Sequence, residues 1–281
     1  MASSLSRLSS RAFLSPALAA AVVAGGCMEQ ARYQQTVTSS APHVSGSGLK
    51  VTSRNGAITV QQGSSETAVT IKATLRMVTE ARLGEASIVA NRTPAGVLEI
   101  SAQPPTGGWR TNEGCSFDVT VPDVSGVELI SSNGAITMSG LSGVAKLDTS
   151  NGRITVRGHR GDLFADTSNG RIEATGVTGA VDARTSNGAV SISMADAAAG
   201  PVTIDTSNGS VTLDLTPSFR GTLEAHTSNG SVRMPEGAPA GVSRYSLRST
   251  GRRATLEVGE GGPASSIDTS NGSVTVRFGG R

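Results

Sequence analysis

Asp148-Thr-Ser-Asn-Gly-Arg-Ile-Thr-Val156, Asp166-Thr-Ser-Asn-Gly-Arg-Ile-Glu-Ala174 and Arg184-Thr-Ser-Asn-Gly-Ala-Val-Ser-Ile192 are three statements of one phrase. Its Asn-Gly pair stands at Asn133-Gly134, Asn151-Gly152, Asn169-Gly170 and Asn187-Gly188 in steps of 18 residues, then at Asn208-Gly209 and Asn229-Gly230 in steps of 21. Asn271-Gly272 follows after 42 residues, twice 21, with Ser249-Thr-Gly251 midway as a degenerate turn. A fixed period of this size marks a chain of stacked supersecondary units.

Within a repeat, apolar residues follow the Asn at alternate positions, as in Ile136 and Met138, Ile154 and Val156, or Val190 and Ile192. A second alternating run precedes it, as in Ala145-Lys-Leu147-Asp-Thr149 and Val202-Thr-Ile204-Asp-Thr206. A period of two means strands with one buried face, so each repeat is two short strands. One turn is always Ser-Asn-Gly, where Asn and Gly tolerate positive φ. The other varies from Gly140-Leu-Ser-Gly143 to the longer stretch 194–201, which absorbs the three extra residues of the later repeats.

Two architectures fit. The preferred one is an all-β parallel β-solenoid, of the β-helix or β-roll kind, built from two-strand rungs of 18 and 21 residues. Its equivalent positions stack about 4.8 Å apart. The alternative is an antiparallel β-meander in which Asn-Gly makes two-residue hairpin turns. A flat meander leaves its apolar face without a partner layer, whereas a coil covers its own core. Stacked Asn side chains can also hydrogen-bond from rung to rung.

Residues 1–26 read as an export signal, with Arg7, Arg11, no acid, and a largely apolar run at 12–24 that is too short for a permanent bilayer span. Val23-Ala-Gly-Gly-Cys27 resembles a bacterial lipobox, which makes Cys27 the expected lipidation site and membrane anchor. An ordinary cleavage site beside an incidental cysteine is the alternative. Residues 27–42 read as a lipidated flexible tether, 43–126 as a wider N-terminal part of the solenoid, and 127–281 as the regular Ser-Asn-Gly rungs. The stretch 79–86 has a helical pattern. Cys115 shares a strand face with Phe117, Val119 and Val121 and is expected as a buried thiol, a bridge to Cys27 being the alternative. The signal holds two of the 24 basic residues and none of the 22 acids, leaving a balanced chain. That balance, with no basic block, argues against nucleic acid as a partner.

The repeated Ser-Asn-Gly-x-Ile/Val-x-Val, with Gly-x-x-Gly turns and the strand Phe117-Asp-Val-Thr-Val-Pro122 ahead of the repeats, resembles the bacterial putative-adhesin beta-strand-repeat family, also called the toastrack domain. The resemblance covers most of residues 43–278. It implies an envelope-attached structural module of unknown molecular function, with no catalytic residues to carry over.

Several groups invite a chemical reading. Asp148 and Asp166 are equivalent on neighbouring rungs, so their carboxyls face outward about 5 Å apart, the separation of a retaining glycosidase pair. Arg184 continues that column, however, and no His or Tyr adjoins it, so no catalytic residue is assigned. Calcium-binding coils need Gly-Gly-x-Gly-x-Asp at both half-turns, whereas this chain has Asp-Thr-Ser-Asn-Gly, and on one side only. His43, His159 and His226 match no zinc spacing, so neither metal nor cofactor is expected. The Asn-x-Ser/Thr matches at Asn91, Asn208, Asn229 and Asn271 follow, in three cases, from the turn phrase itself. Trp109, the only Trp, lies in the loop Pro104-Pro-Thr-Gly-Gly-Trp-Arg110 and is either a ligand contact or a lid over the wider rungs.

The expected function is a non-catalytic scaffold or adhesin-like interaction surface on an exported, membrane-anchored lipoprotein facing the periplasm or cell exterior, its envelope protein or glycan partner unknown. The alternative is a polysaccharide-binding or polysaccharide-cleaving β-helix protein. The last strand, Ser273-Val-Thr-Val-Arg-Phe278, reads as the open end of the coil. It either supports end-to-end self-association or is protected by Arg277, Arg281 and the glycine tail.

Overall fold

The computed structural model describes residues 31–279 apart from 32, 65, 66, 197, 199, 240, 241 and 243. The signal segment and Cys27 lie outside the described residues.

The N-terminal part contains β1 (Tyr33–Pro42), β2 (Gly48–Ser53), β3 (Ile58–Gln62), β4 (Ala68–Met77), α1 (Glu80–Glu85), β5 (Ser87–Arg92), β6 (Leu98–Gln103) and β7 (Gly114–Val121). Then come five two-strand rungs. They are β8 (Gly126–Ser131) with β9 (Ile136–Ser139), β10 (Val144–Thr149) with β11 (Ile154–His159), and β12 (Leu163–Thr167) with β13 (Ile172–Val177). β14 (Val181–Thr185) with β15 (Val190–Met194) and β16 (Val202–Thr206) with β17 (Val211–Leu215) complete them. The C-terminal part holds β18 (Gly221–Thr227), β19 (Val232–Arg233), β20 (Tyr245–Ser249), β21 (Arg253–Val258), β22 (Ala264–Thr269) and β23 (Val274–Phe278).

The strands form an 11-stranded and a 12-stranded sheet, and successive strands of the rungs alternate between them. Within each sheet the rungs pair in parallel and in equivalent register, Asp148 opposite Asp166 and Ile154 opposite Ile172. This is the solenoid, and the meander is excluded for the rungs. The two inner faces meet in one core. Ile58, Ile136, Ile154, Ile172, Val190, Val211 and Val274 stack along one sheet, and Val51, Leu129, Leu147, Ala165, Ala183, Ile204 and Ile267 along the other, all at most 2% exposed.

The structure departs from the sequence reading in three places. Residues 33–42, read as tether, form β1, which pairs antiparallel with β4 along its whole length. Its Gln, Thr, Ser and Val side chains alternate between half-buried and exposed, so a polar strand covers the edge of the wider part. Second, the 249–251 turn is not a rung turn, since it joins β20 to β21 in an antiparallel hairpin with Gly251 at φ +81°. Third, the final rung is not at the end. β22 pairs in parallel with both β16 and β18, and β23 with both β17 and β19, so the chain's last two strands fill a slot inside both sheets. Repeats with the same turn and the same register can stack in any order, and here spatial order departs from sequence order.

Candidate functional site

The repeated phrase builds three parallel columns along one edge of the solenoid. Asn55, Asn133, Asn151, Asn169, Asn187, Asn208, Asn271 and Asn229 form an amide ladder in which each Nδ2 donates to the Oδ1 of the rung before it, at 2.6 to 2.9 Å. Beneath it, the buried hydroxyls of Ser53, Ser131, Thr149, Thr167, Thr185, Thr206 and Thr269 each donate to a main-chain carbonyl of the neighbouring rung. Several of them also accept from the glycine N–H of their own turn, as Thr149 does from Gly152 and Thr167 from Gly170. Each such hydroxyl is thus satisfied on both sides, which is what lets it be buried.

The third column is Gly134, Gly152, Gly170, Gly188, Gly209, Gly272 and Gly230, and the reason for glycine differs from the expected one. None of these has positive φ, and neither does any non-glycine among the described residues. What excludes a side chain is stacking. A Cβ on Gly152 would lie 1.9 Å from the Gly134 carbonyl oxygen, and one on Gly170 would lie 1.8 Å from that of Gly152.

Trp109 sits where this ladder begins. Asn55, its first member, donates to the carbonyls of Thr111 and Glu113 in the Trp109 loop. That loop is clamped by a feature the sequence reading missed. Glu113 is fully buried, and both its oxygens are bonded to Arg82 of α1, at 2.6 Å to Nε and 2.7 Å to Nη2. The main-chain N–H of Arg110 donates to the same carboxylate. Hydrogen bonding from Arg82 is the main cause that holds the Glu113 pKa down at about 2, against desolvation. Arg82 also donates to the carbonyls of Thr106 and Gly108, and Glu85 accepts from the Thr106 N–H. Arg82 and Glu113 are 31 residues apart, and no local pattern in the sequence pairs them.

The indole packs against the core and is half-buried, so it does cover the wider rungs. It also lines a cleft of about 430 Å³ together with Thr52, Arg54, Ser101, Ala102, Ser132, Asn133 and the buried Ser53 and Cys115. Cys115 is a free, buried thiol whose pKa burial pushes up to about 12, so it is inert at neutral pH.

The Asp148 and Asp166 pair lies in an outward row of the 12-stranded sheet that continues through Arg184, Asp205, Asp268 and His226. Partial burial, then the neighbouring Asp148 charge, raises the Asp166 pKa, and Arg184 opposes this. His226 lies 3.6 Å from Asp268, His43 lies 3.1 Å from Asp123, and buried His159 contacts the carbonyls of Leu141 and Asp162. Among the described residues, no group of three or more His, Cys, Asp or Glu side chains is arranged to hold a metal ion.

Fold and columns together define a repeat scaffold: a two-sheet parallel solenoid whose repeated residues serve turns and core. A family model described as Toastrack DUF4097 matches residues 111–277, more than half of the chain, and the protein belongs to that family. No curated protein matches it. Among solved structures it is similar to a putative cell adhesion protein of Clostridium sporogenes, 14% identical over 87% of this chain and 100% of that one, TM-score 0.36. It is likewise similar to a putative adhesin of Bacteroides fragilis, 12% identical over 86% of this chain and 97% of that one, TM-score 0.42.

Proposed function

We propose that the protein is a non-catalytic interaction scaffold, exported and held at the cell envelope by a lipid on Cys27. The observation that carries this reading is the pair of outer faces. They run about 50 Å along eleven or twelve strands and carry polar and charged side chains in rows. One row runs Glu99, Lys50, Glu128, Lys146 in alternating sign, with Lys50 and Glu128 at 2.9 Å, and continues through Phe164, 43% exposed, to Asp182. Such rows suit contact with an extended partner, and Asp148 and Asp166 are both exposed within one of them.

The anchor sets the orientation. Cys27 precedes Tyr33 by six residues, a reach of about 20 Å at most, so the end carrying β1 would face the membrane. Self-association in this reading runs through β1 rather than Ser273–Phe278, because the latter is interior. β1 has no charged residue, and its outer edge pairs with no strand among the described residues. Fractionating cells that carry Cys27→Ser tests the anchor: the protein should move from the membrane to the soluble fraction, and unchanged retention would refute it. Cross-linking the intact protein in its native envelope identifies the partner.

A further inference from the structure

We propose that the cleft beside Trp109 is a subsite for one sugar unit of an acidic polysaccharide, which names a ligand class for the scaffold proposed above and rests on that reading. Its size of about 430 Å³ falls within the range of small-molecule sites. Its lining combines an aromatic plane with hydroxyl groups, as a pyranose ring combines a C–H face with hydroxyls. The indole is an apolar plane, against which the C–H face of a sugar stacks. The same cleft is lined by Thr52, Ser101 and Ser132, whose hydroxyls can each donate and accept.

The charge of the sugar follows from Arg54. It is exposed, it lines the cleft, and no ion pair of the described residues engages it. No carboxylate lines the cleft, so a carboxylate on the ligand would be the matching group. The platform is also fixed in advance. Gly107 and Gly108 turn the chain at φ of +82° and +81° immediately before the indole, and the Arg82 and Glu113 clamp holds the loop on both sides of it. A rigid aromatic wall loses little entropy on binding. Two of its lining residues, Thr52 and Ser101, are paired neighbours in the 12-stranded sheet, so a polymer seated there would continue along that sheet.

Trp109 is the only Trp in the chain, so its fluorescence in the purified full-length protein reports on this cleft alone. Tetragalacturonate should change the emission saturably, with a dissociation constant on the order of 1 mM or tighter. Arg54→Ala, an exposed change that should leave thermal unfolding unaltered, should weaken tetragalacturonate about tenfold, the loss of one charged hydrogen bond, and leave the weaker binding of neutral maltotetraose unchanged. Trp109→Ala, followed by calorimetry, should abolish both. The proposal is overturned by an absence of saturable change with tetragalacturonate, by equal affinity in Arg54→Ala, or by tetraglutamate binding as tightly as the sugar. None of these outcomes depends on where the protein resides, which the Cys27→Ser fractionation reports separately.

Discussion

Gly152 and Gly84 are the same residue with opposite tolerances. A Cβ at Gly152 meets the Gly134 carbonyl at 1.9 Å, and the atoms it meets are main chain of the next rung, which cannot swing away. Gly152→Ala should therefore cost about 3 kcal/mol or more, whereas Gly84→Ala in α1 meets nothing within 4 Å and should be neutral or stabilising by up to about 1 kcal/mol. Thermal unfolding of the two variants checks this. A similar contrast holds across one peptide bond. Ile154→Asp buries a carboxylate in the core column and should cost about 4 kcal/mol or more, while Thr155→Asp on the outer face should change stability by about 0.5 kcal/mol or less. Equal melting temperatures would overturn the register. The register was legible in the sequence because Ile and Thr alternate with period two. The role of glycine was not, since positive φ and close stacking select the same residue, and only the distance to the next rung separates them.

At the scale of elements, the Trp109 loop and α1 depend on one ion pair that gives stability a pH dependence. The Glu113 carboxyl is depressed in the folded protein from an ordinary 4.5 to about 2. Its contribution is therefore complete above about pH 4.5 and is lost as pH falls from there to about 2, amounting to roughly 3 kcal/mol. Glu113→Gln should flatten that acid limb and lower stability at neutral pH by a similar amount. An unchanged acid limb in denaturation curves would show that the clamp does not hold the loop. α1 itself was readable from residues 79–86, with Thr79 accepting from the Arg82 N–H as its N-cap. β1 was not, because its Gln, Thr and Ser residues carry too little apolar contrast to reveal a strand. It is ordered by ten residues of pairing with β4, a property of the neighbour. If its free edge mediates self-association, Thr38→Lys should leave the fold intact and abolish the associated species in sedimentation of the full-length protein.

At the scale of the molecule, the threading of the last rung makes the final residues part of the interior. Ile267, Val274 and Val276 are buried, and Thr269 and Asn271 complete the hydroxyl and amide columns between their neighbours. The sequence recorded this only as the doubled interval between Asn229 and Asn271. Every rung presents the same turn phrase, so the phrase states that a rung stacks and not on which neighbour. A rung at the open end of a solenoid could be removed and leave a shorter but cooperative structure. Removing this one separates β16 from β18 and β17 from β19 and leaves a slot in both sheets. The three apolar side chains alone represent about 6 kcal/mol, comparable with the whole stability of an ordinary domain at about 5–15 kcal/mol. Deleting residues 264–281 should therefore abolish the cooperative thermal transition seen by circular dichroism, and a synthetic peptide of residues 264–279 added in excess should restore it. A truncated protein that melts cooperatively near the temperature of the intact chain would place the last rung at the end, and the order of strands in both sheets would have to be redrawn.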